Sequence, residues 1–267
     1  MSFSLGPSLL FCPADRPERY AKAAERADAV ILDLEDAVAP DAKAAAREHL
    51  VAGALDPART VVRINPVGTA DLAEDLAAVA ATRYRTLMLP KVAGASEVAA
   101  VGDYDVVAIV ESAAGLLHVA EIAAAPTVVA LMWGAEDLVA SLGGTSSRLP
   151  GGRYRDVARH ARSATLVAAV AHGKAAIDAV HLDIPDLDGV AEEARDAVAS
   201  GFSATACIHP SHVPVIRAAY RPTDEEVAWA REVLDAARGE RGVFVRDGRM
   251  VDGPVLKHAE RVLRRAL

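Results

Sequence analysis

The chain has 267 residues, 52% of them hydrophobic and only 4% aromatic, and a formal net charge of −8 at pH 7. This length is too great for a small domain and suits one α/β barrel of ~250 residues, with a core of Ala, Val, Leu and Ile. The acidic balance excludes partners that need a basic footprint, nucleic acid above all, but leaves room for a small anionic ligand held by a few Arg or Lys residues.

The predicted elements alternate along the chain. Ser8–Phe11, closed by Cys12–Pro13, predicts a strand, and Pro17–Arg26 a helix with Pro17 in its first turn. Ala29–Leu34 is a second strand running into Glu35 and Asp36, followed by an Ala-rich helix over Pro40–Val51. Thr60–Ile64 is a third, ending around Arg63 and Asn65, with a helix over Ala70–Ala81. Thr86–Leu89 is a fourth, closed by Pro90–Lys91, and Ser96 caps a short helix. Val106–Val110 is a fifth, stopping at Glu111, and Ser112–Ala124 is a helix with Gly115 in its first turn. Val128–Met132 is a sixth, reaching Glu136 and Asp137. The Gly- and Ser-rich stretch Ser141–Arg153 reads as a mobile loop on the catalytic rim, a candidate lid. A long helix, Tyr154–His172, leads to a seventh strand, Ala176–Leu182, ending at Asp183. Leu187–Ser200 is a helix stopped by Gly201, and Ala204–Ile208 is an eighth strand, ending at His209–Pro210. Ser211–Tyr220 and Thr223–Arg238 are helices.

Eight strand–helix units favour an α/β fold of the closed (β/α)8 TIM-barrel type over residues 1–240. The remainder, 241–267, reads as a hairpin of Val243–Val245 and Met250–Val251 around Asp247–Gly248, then a helix to Leu267. This C-terminal extension exceeds what eight units need, so it is expected to dock on its own barrel or on a neighbouring subunit. Cys12 and Cys207 make no disulfide framework and would lie on adjacent strands as small apolar fillers. Met1–Pro7 lacks a signal-peptide pattern, and no stretch approaches the ~20 apolar residues of a membrane span. A cytoplasmic protein with reduced thiols is expected.

The polar residues gather at strand ends, where barrel enzymes keep their active sites. Two strand endings, V-V-A-I-V-E at 106–111 and T-V-V-A-L-M-W-G-A-E-D at 127–137, would set Glu111 and Asp137 side by side. Two carboxylates at one rim suit a hard cation such as Mg²⁺. Against this, Glu111 reads as a solvated strand end and Asp137 as a carboxylate favoured by a helix N-terminus. Glu136 is a further candidate, direct or through water. Glu35 and Asp36 either order the metal's waters or Arg63, or merely open a helix. Arg63 is expected to contact a substrate carboxylate bidentately, the alternative being a salt bridge to Glu35 or Asp36. Lys91 reads as a rim support rather than a Schiff-base lysine, and His209 as a structural hydrogen-bonder. A 2-oxo acid would chelate the metal, and Arg63 would meet a developing oxyanion, which is chemistry for making or breaking a C–C bond.

Specific segments carry a resemblance. S-L-L-F-C-P-A-D-R-P-E-R at 8–19, A-D-A-V-I-L-D-L-E-D-A-V at 27–38, V-R-I-N at 62–65, L-P-K at 89–91, V-E-S-A-A-G at 110–115, W-G-A-E-D-L at 133–138, C-I-H-P-S at 207–211 and G-R-M-V-D-G-P-V at 248–255 span nearly the whole chain. The chain resembles the citrate lyase β-subunit-like proteins of the HpcH/HpaI aldolase group, which includes malyl-CoA and citramalyl-CoA lyases. The resemblance implies a (β/α)8 barrel, Mg²⁺, and Claisen-type cleavage of a 3-hydroxyacyl-CoA to acetyl-CoA and a 2-oxo acid. It matches Glu111 and Asp137 to the metal ligands and Arg63 to the substrate-binding arginine. It matches Asp252 to an acid/base acting on the acetyl-CoA methyl, donated by the tail of an adjacent subunit in a trimer; capping of the last helix is the competing role. Coenzyme A needs cations for its phosphates, and Arg16, Arg19 and Lys22 follow the first strand on the correct rim, unless they form only a solvated helix face. Two other functions stay open: a metal-dependent aldolase on free hydroxy-oxo acids, and a non-catalytic 2-oxo acid binding protein.

Overall fold

Strands that are apolar on both faces need cover on both, which a closed barrel wrapped in helices supplies. In the computed structural model, which describes residues 5–239, 242–246 and 248–266, eight parallel strands close in chain order. They are β1 (Ser8–Pro13), β2 (Ala29–Asp33), β3 (Thr60–Arg63), β4 (Thr86–Leu89), β5 (Asp105–Val110), β6 (Val128–Trp133), β7 (Ala175–Asp178) and β8 (Ala204–Cys207). β1 closes on β8 with Leu10 opposite Cys207. This is the expected (β/α)8 TIM barrel.

The barrel interior is filled by Leu9, Ala29, Ile31, Val61, Met88, Val107, Ile109, Ala130, Met132, Ile177, Ala204 and Ala206. Side chains of a strand alternate between its faces. Two residues beyond Ile31, Val61, Ile109 and Met132 the same face carries Asp33, Arg63, Glu111 and Gly134. Alternation alone therefore delivers an acid, a base, an acid and a gap to one rim. Close approach also demands glycine at Gly115, where any Cβ would run into the Val92 carbonyl.

The chain divides into two compact units, one ending at Ile216 and one beginning at Arg217, inside the helix His212–Tyr220. The second unit thus begins ahead of the boundary at 240/241 anticipated for the extension. Its helix Asp224–Ala237 opens on a capping box of Thr223 and Glu226. The strands β9 (Phe244–Arg246) and β10 (Arg249–Val251) form the expected antiparallel hairpin, and the helix Gly253–Arg265 ends the unit. Asp247, expected at the hairpin turn, lies outside the described residues. Ala230, Val233, Val251, Ala259 and Val262 make this unit's own core. No helix among the described residues is long and apolar enough to cross a membrane.

Three local expectations need correction, and one helix was not foreseen. β7 ends at Asp178, not at Asp183, which sits in the exposed loop beyond. Ser96 is not a cap: Gly94 holds that position, and the Glu97 carboxylate takes the Ala93 N–H at 2.7 Å. The helix after β5 is two helices, Ala113–Leu117 and Val119–Ala124, broken at His118, whose Nδ1 lies 2.9 Å from the Ala93 carbonyl. A further helix, Ala135–Ser141, follows β6 directly.

Candidate active site

Asp33 and Arg63 are opposite one another in the β2/β3 register. Arg63 donates from Nε to Asp33 Oδ1 at 2.7 Å and from Nη2 to Oδ2 at 2.5 Å. The same carboxylate accepts from the Glu35 and Ala37 backbone N–H groups at 2.9 and 3.2 Å, so it shapes the turn that presents Glu35. The bidentate edge expected to receive a substrate carboxylate is thus filled by Asp33, and a ligand is left the remaining N–H groups of Nη1 and Nη2. Arg63 Nη1 also lies 2.9 Å from Glu35 Oε2, and the guanidinium carbon sits 4.9 Å from the Phe11 ring centroid. Asp36 forms no pair with Arg63 among the described residues; it is exposed and faces Lys91 Nζ at 3.3 Å. Burial alone would lower the Arg63 pKa, but the bonds and charge of Asp33 outweigh it and push it up.

A second brace fixes the same turn from below. Lys43 Nζ donates to the Leu34 carbonyl at 2.8 Å, to the Glu35 carbonyl at 3.1 Å and to Asn65 Oδ1 at 2.8 Å. Asn65 is itself anchored to the fully buried Asp75, which pairs with Arg47.

Glu111 is buried at the end of β5. Its Oε1 accepts the Lys91 N–H at 2.8 Å. An ideal Cβ on Gly134 would lie 2.9 Å from the Glu111 Cβ and closer still to Oε2, so only glycine leaves this carboxylate its place. Among the described residues no Lys or Arg side chain forms an ion pair with Glu111. Burial first, and the neighbouring Asp137 charge second, push its pKa up to about 8. The Lys91 N–H and the Arg63 charge offset this only in part, and among the described residues no cation pairs with the buried carboxylate directly. Asp137, in the first turn of the helix Ala135–Ser141, keeps a side chain 42% exposed. One buried and one open carboxylate, all oxygen, fit a divalent cation such as Mg²⁺ that retains waters. Glu136 points elsewhere: its Oε1 accepts the Ser147 hydroxyl at 2.5 Å, which ties the loop after Ser141 to this helix.

Lys91 stands among these acids. Its Nζ pairs with Glu35, reaches Asp36 at 3.3 Å and lies 3.7 Å from Asp137 Oδ1. Burial would lower its pKa, but Glu35, then Asp36 and Asp137, push it up, the opposite of what a Schiff-base lysine requires. The rim-support role fits. Burial is the main force raising the Glu35 pKa as well, with Arg63 and Lys91 opposing it.

The remaining candidates are spread out. Arg16, Arg19 and Lys22 are exposed; Arg16 lies 3.6 Å from Asp15 and Arg19 3.9 Å from Glu18. His209 bonds Ser211 through Nδ1 at 2.7 Å, a local turn contact. Cys12 and Cys207 are free and buried, and burial raises their thiol pKa values to about 11 and about 12. Asp252 is the N-cap of the last helix and accepts from Val255 N at 3.3 Å. Asp178, unnoticed in the sequence, holds Trp133 Nε1 at 2.6 Å and Arg162 Nη2 at 2.7 Å, so it braces β6 against β7.

Residues 7–210 match the family model HpcH/HpaI aldolase/citrate lyase. The chain is 62% identical to the citrate lyase subunit beta-like protein of Mycobacterium tuberculosis strain H37Rv, over 98% of this chain and 96% of that protein. It is 36% identical to the L-malyl-CoA/beta-methylmalyl-CoA lyase of Cereibacter sphaeroides strain ATCC 17025, over 100% of this chain and 98% of that protein. It superposes with a TM-score of 0.95 on a crystal structure of CitE from Mycobacterium tuberculosis in complex with magnesium, acetoacetate and coenzyme A. That protein is 62% identical, with 98% of each chain covered.

Proposed function

The chain belongs to the HpcH/HpaI aldolase/citrate lyase family, and from that membership we propose a Mg²⁺-dependent carbon–carbon lyase acting on a 3-hydroxyacyl-CoA of the malyl-, citramalyl- or citryl-CoA kind. The observation that carries this reading is the buried Glu111, raised by burial and by the neighbouring Asp137, with Arg63 fixed at the same rim. Magnesium-bound and coenzyme A-bound relatives of high identity support it.

In this reading Glu111 and Asp137 hold the cation. Bound Mg²⁺ supplies a Lewis acid for the oxygen that becomes the keto group. Asp33 fixes Arg63, so the guanidinium meets the developing oxyanion without reorganising. In the cleavage direction the 3-hydroxyl gives its proton to a rim carboxylate, Glu35 or Asp36. The C2–C3 bond breaks, its electron pair passes into the thioester enolate, and C3 becomes the carbonyl of the oxo acid. Asp252 protonates the enolate carbon to release acetyl-CoA, and condensation reverses each transfer. We place Asp252 in the site of an adjacent protomer of a homo-oligomer, a trimer by family resemblance; its position in a unit distinct from the barrel agrees with this. Arg16, Arg19 and Lys22, exposed just past β1, are assigned to the coenzyme A phosphates. Two free, buried cysteines agree with a cytoplasmic setting.

The test is a panel of malyl-, citramalyl- and citryl-CoA beside the free hydroxy-oxo acids, read by the released oxo acid and, for the thioesters, by released acetyl-CoA as well. Cleavage of a thioester with Mg²⁺ and not with EDTA supports the proposal. Turnover of the free acids alone points to an aldolase, and Mg²⁺-dependent binding of oxo acids without any turnover points to a binding protein.

A further inference from the structure

Lys91 is the one non-glycine residue at positive φ among the described residues, at 55°. Residues with a Cβ seldom occupy this left-handed region, and where one does, the surroundings hold it there. Here the twist lets one residue address four carboxylates. Its N–H goes to Glu111 at 2.8 Å. Its ammonium pairs with Glu35 Oε1, reaches Asp36 Oδ2 at 3.3 Å and approaches Asp137 Oδ1 to 3.7 Å. The other Glu35 oxygen lies 2.9 Å from Arg63 Nη1 without a hydrogen bond, so each oxygen of that carboxylate has a cation against it. The ammonium hydrogen-bonds Glu35 and Asp36 but only approaches Asp137 and meets Glu111 through the backbone alone, so Glu111 and Asp137 are the two left for a metal.

The number of available carboxylate oxygens decides between hard cations. Mg²⁺ keeps several waters and needs one or two carboxylates, whereas Ca²⁺ takes six to eight oxygens in looser geometry. Specificity of this kind is achieved as much by withholding groups from the wrong ligand as by offering them to the right one. We propose that Lys91 is a metal-selectivity residue, which disfavours Ca²⁺ by keeping Glu35 and Asp36 out of the coordination sphere of the divalent cation. The inference rests on the reading of Glu111 and Asp137 as the metal carboxylates. Lys91 acts through Glu35 and Asp36, and so is a positioning residue.

The test is calorimetric titration of metal-free protein with Mg²⁺ and with Ca²⁺, without any activity readout. Lys91→Gly removes the ammonium and keeps the backbone at positive φ without steric cost; Lys91→Met removes it and retains the Cβ; Lys91→Arg retains the charge. The proposal expects wild type to prefer Mg²⁺. Lys91→Gly and Lys91→Met should bind Ca²⁺ at least tenfold more tightly while Mg²⁺ affinity changes less, and Lys91→Arg should resemble wild type. Adding Glu35→Gln to Lys91→Gly should cancel the gain in Ca²⁺ affinity. An unchanged Ca²⁺-to-Mg²⁺ ratio in Lys91→Gly, or an equal weakening of both cations, overturns the selectivity role. Wild-type Mg²⁺ binding that survives Glu111→Ala overturns the metal reading itself, whereas binding lost in Glu111→Ala with a flat Lys91→Gly ratio overturns this inference alone.

Discussion

Asp33 and Arg63 are joined twice, as register partners on adjacent strands and by two hydrogen bonds of 2.7 and 2.5 Å. Removing one member of a buried pair leaves the other charge uncompensated, at a cost of ~3–5 kcal/mol. Asp33→Ala should lose stability of that order in urea unfolding. Asp33→Asn keeps the volume but frees Arg63 to turn, and misplacement of a catalytic group by ~1 Å costs about 10²-fold in rate. Steady-state kinetics of Asp33→Asn should therefore show a fall in kcat at this scale; a wild-type kcat would remove Asp33 from the account.

Gly134 gives Glu111 its room. Gly134→Ala should displace that carboxylate and weaken Mg²⁺ binding by about tenfold or more, equivalent to about 1.4 kcal/mol. Circular dichroism should stay native, because Gly134 lies past the end of β6 at Trp133. Calorimetric titration checks the affinity, and an unchanged value would show that Glu111 does not need this position.

Without a metal, burial and then the Asp137 charge push the Glu111 carboxyl up to about 8, against ~4.3 when unfolded. Between those values the folded state binds a proton that the unfolded state lacks, so stability falls as pH rises. The contribution is fully present below ~4.3 and lost as pH passes through about 8. Glu35, also raised by burial, acts with the same sign. Urea unfolding in EDTA between about pH 5 and about pH 8 should show this decline, and Glu111→Gln should flatten it. The same slope in Glu111→Gln would assign the effect elsewhere.

The barrel was legible because each strand is a short apolar run with a polar end. Thr86–Leu89 and Leu187–Ser200 have the predicted limits in the structure. The rim was legible at Glu111, Asp137 and Arg63, which end or follow such runs. Asp33 and Asp178 were missed because they sit inside V-I-L-D-L and A-I-D-A-V, where a carboxylate is hidden by the apolar residues beyond it. Only pairing across strands reveals their partners, Arg63 for the one and Trp133 with Arg162 for the other. The helix Ala135–Ser141 was masked by the Gly-rich stretch after it. The left-handed backbone of Lys91 and the need for glycine at 134 are properties of packing, which no local spacing records.

Asp252 has two roles to separate, because its carboxylate caps the last helix. Asn and Ser cap about as well as Asp, whereas Ala costs ~1 kcal/mol. Asp252→Asn and Asp252→Ser should therefore unfold near the wild-type midpoint but lose about 10²–10⁴-fold in turnover, the range of general acid–base catalysis. Loss of solvent deuterium exchange into the acetyl-CoA methyl group would locate the defect at the enolate. Full activity in either variant would reduce Asp252 to a cap.

Acetyl-CoA release from malyl-, citramalyl- and citryl-CoA by wild type and Glu111→Ala, at saturating Mg²⁺, decides whether this rim is a Mg²⁺-dependent lyase site. Wild type should cleave at least one thioester, EDTA should abolish this, and Glu111→Ala, folded by circular dichroism, should lose it. Mg²⁺-dependent cleavage by Glu111→Ala at the wild-type rate would contradict that reading.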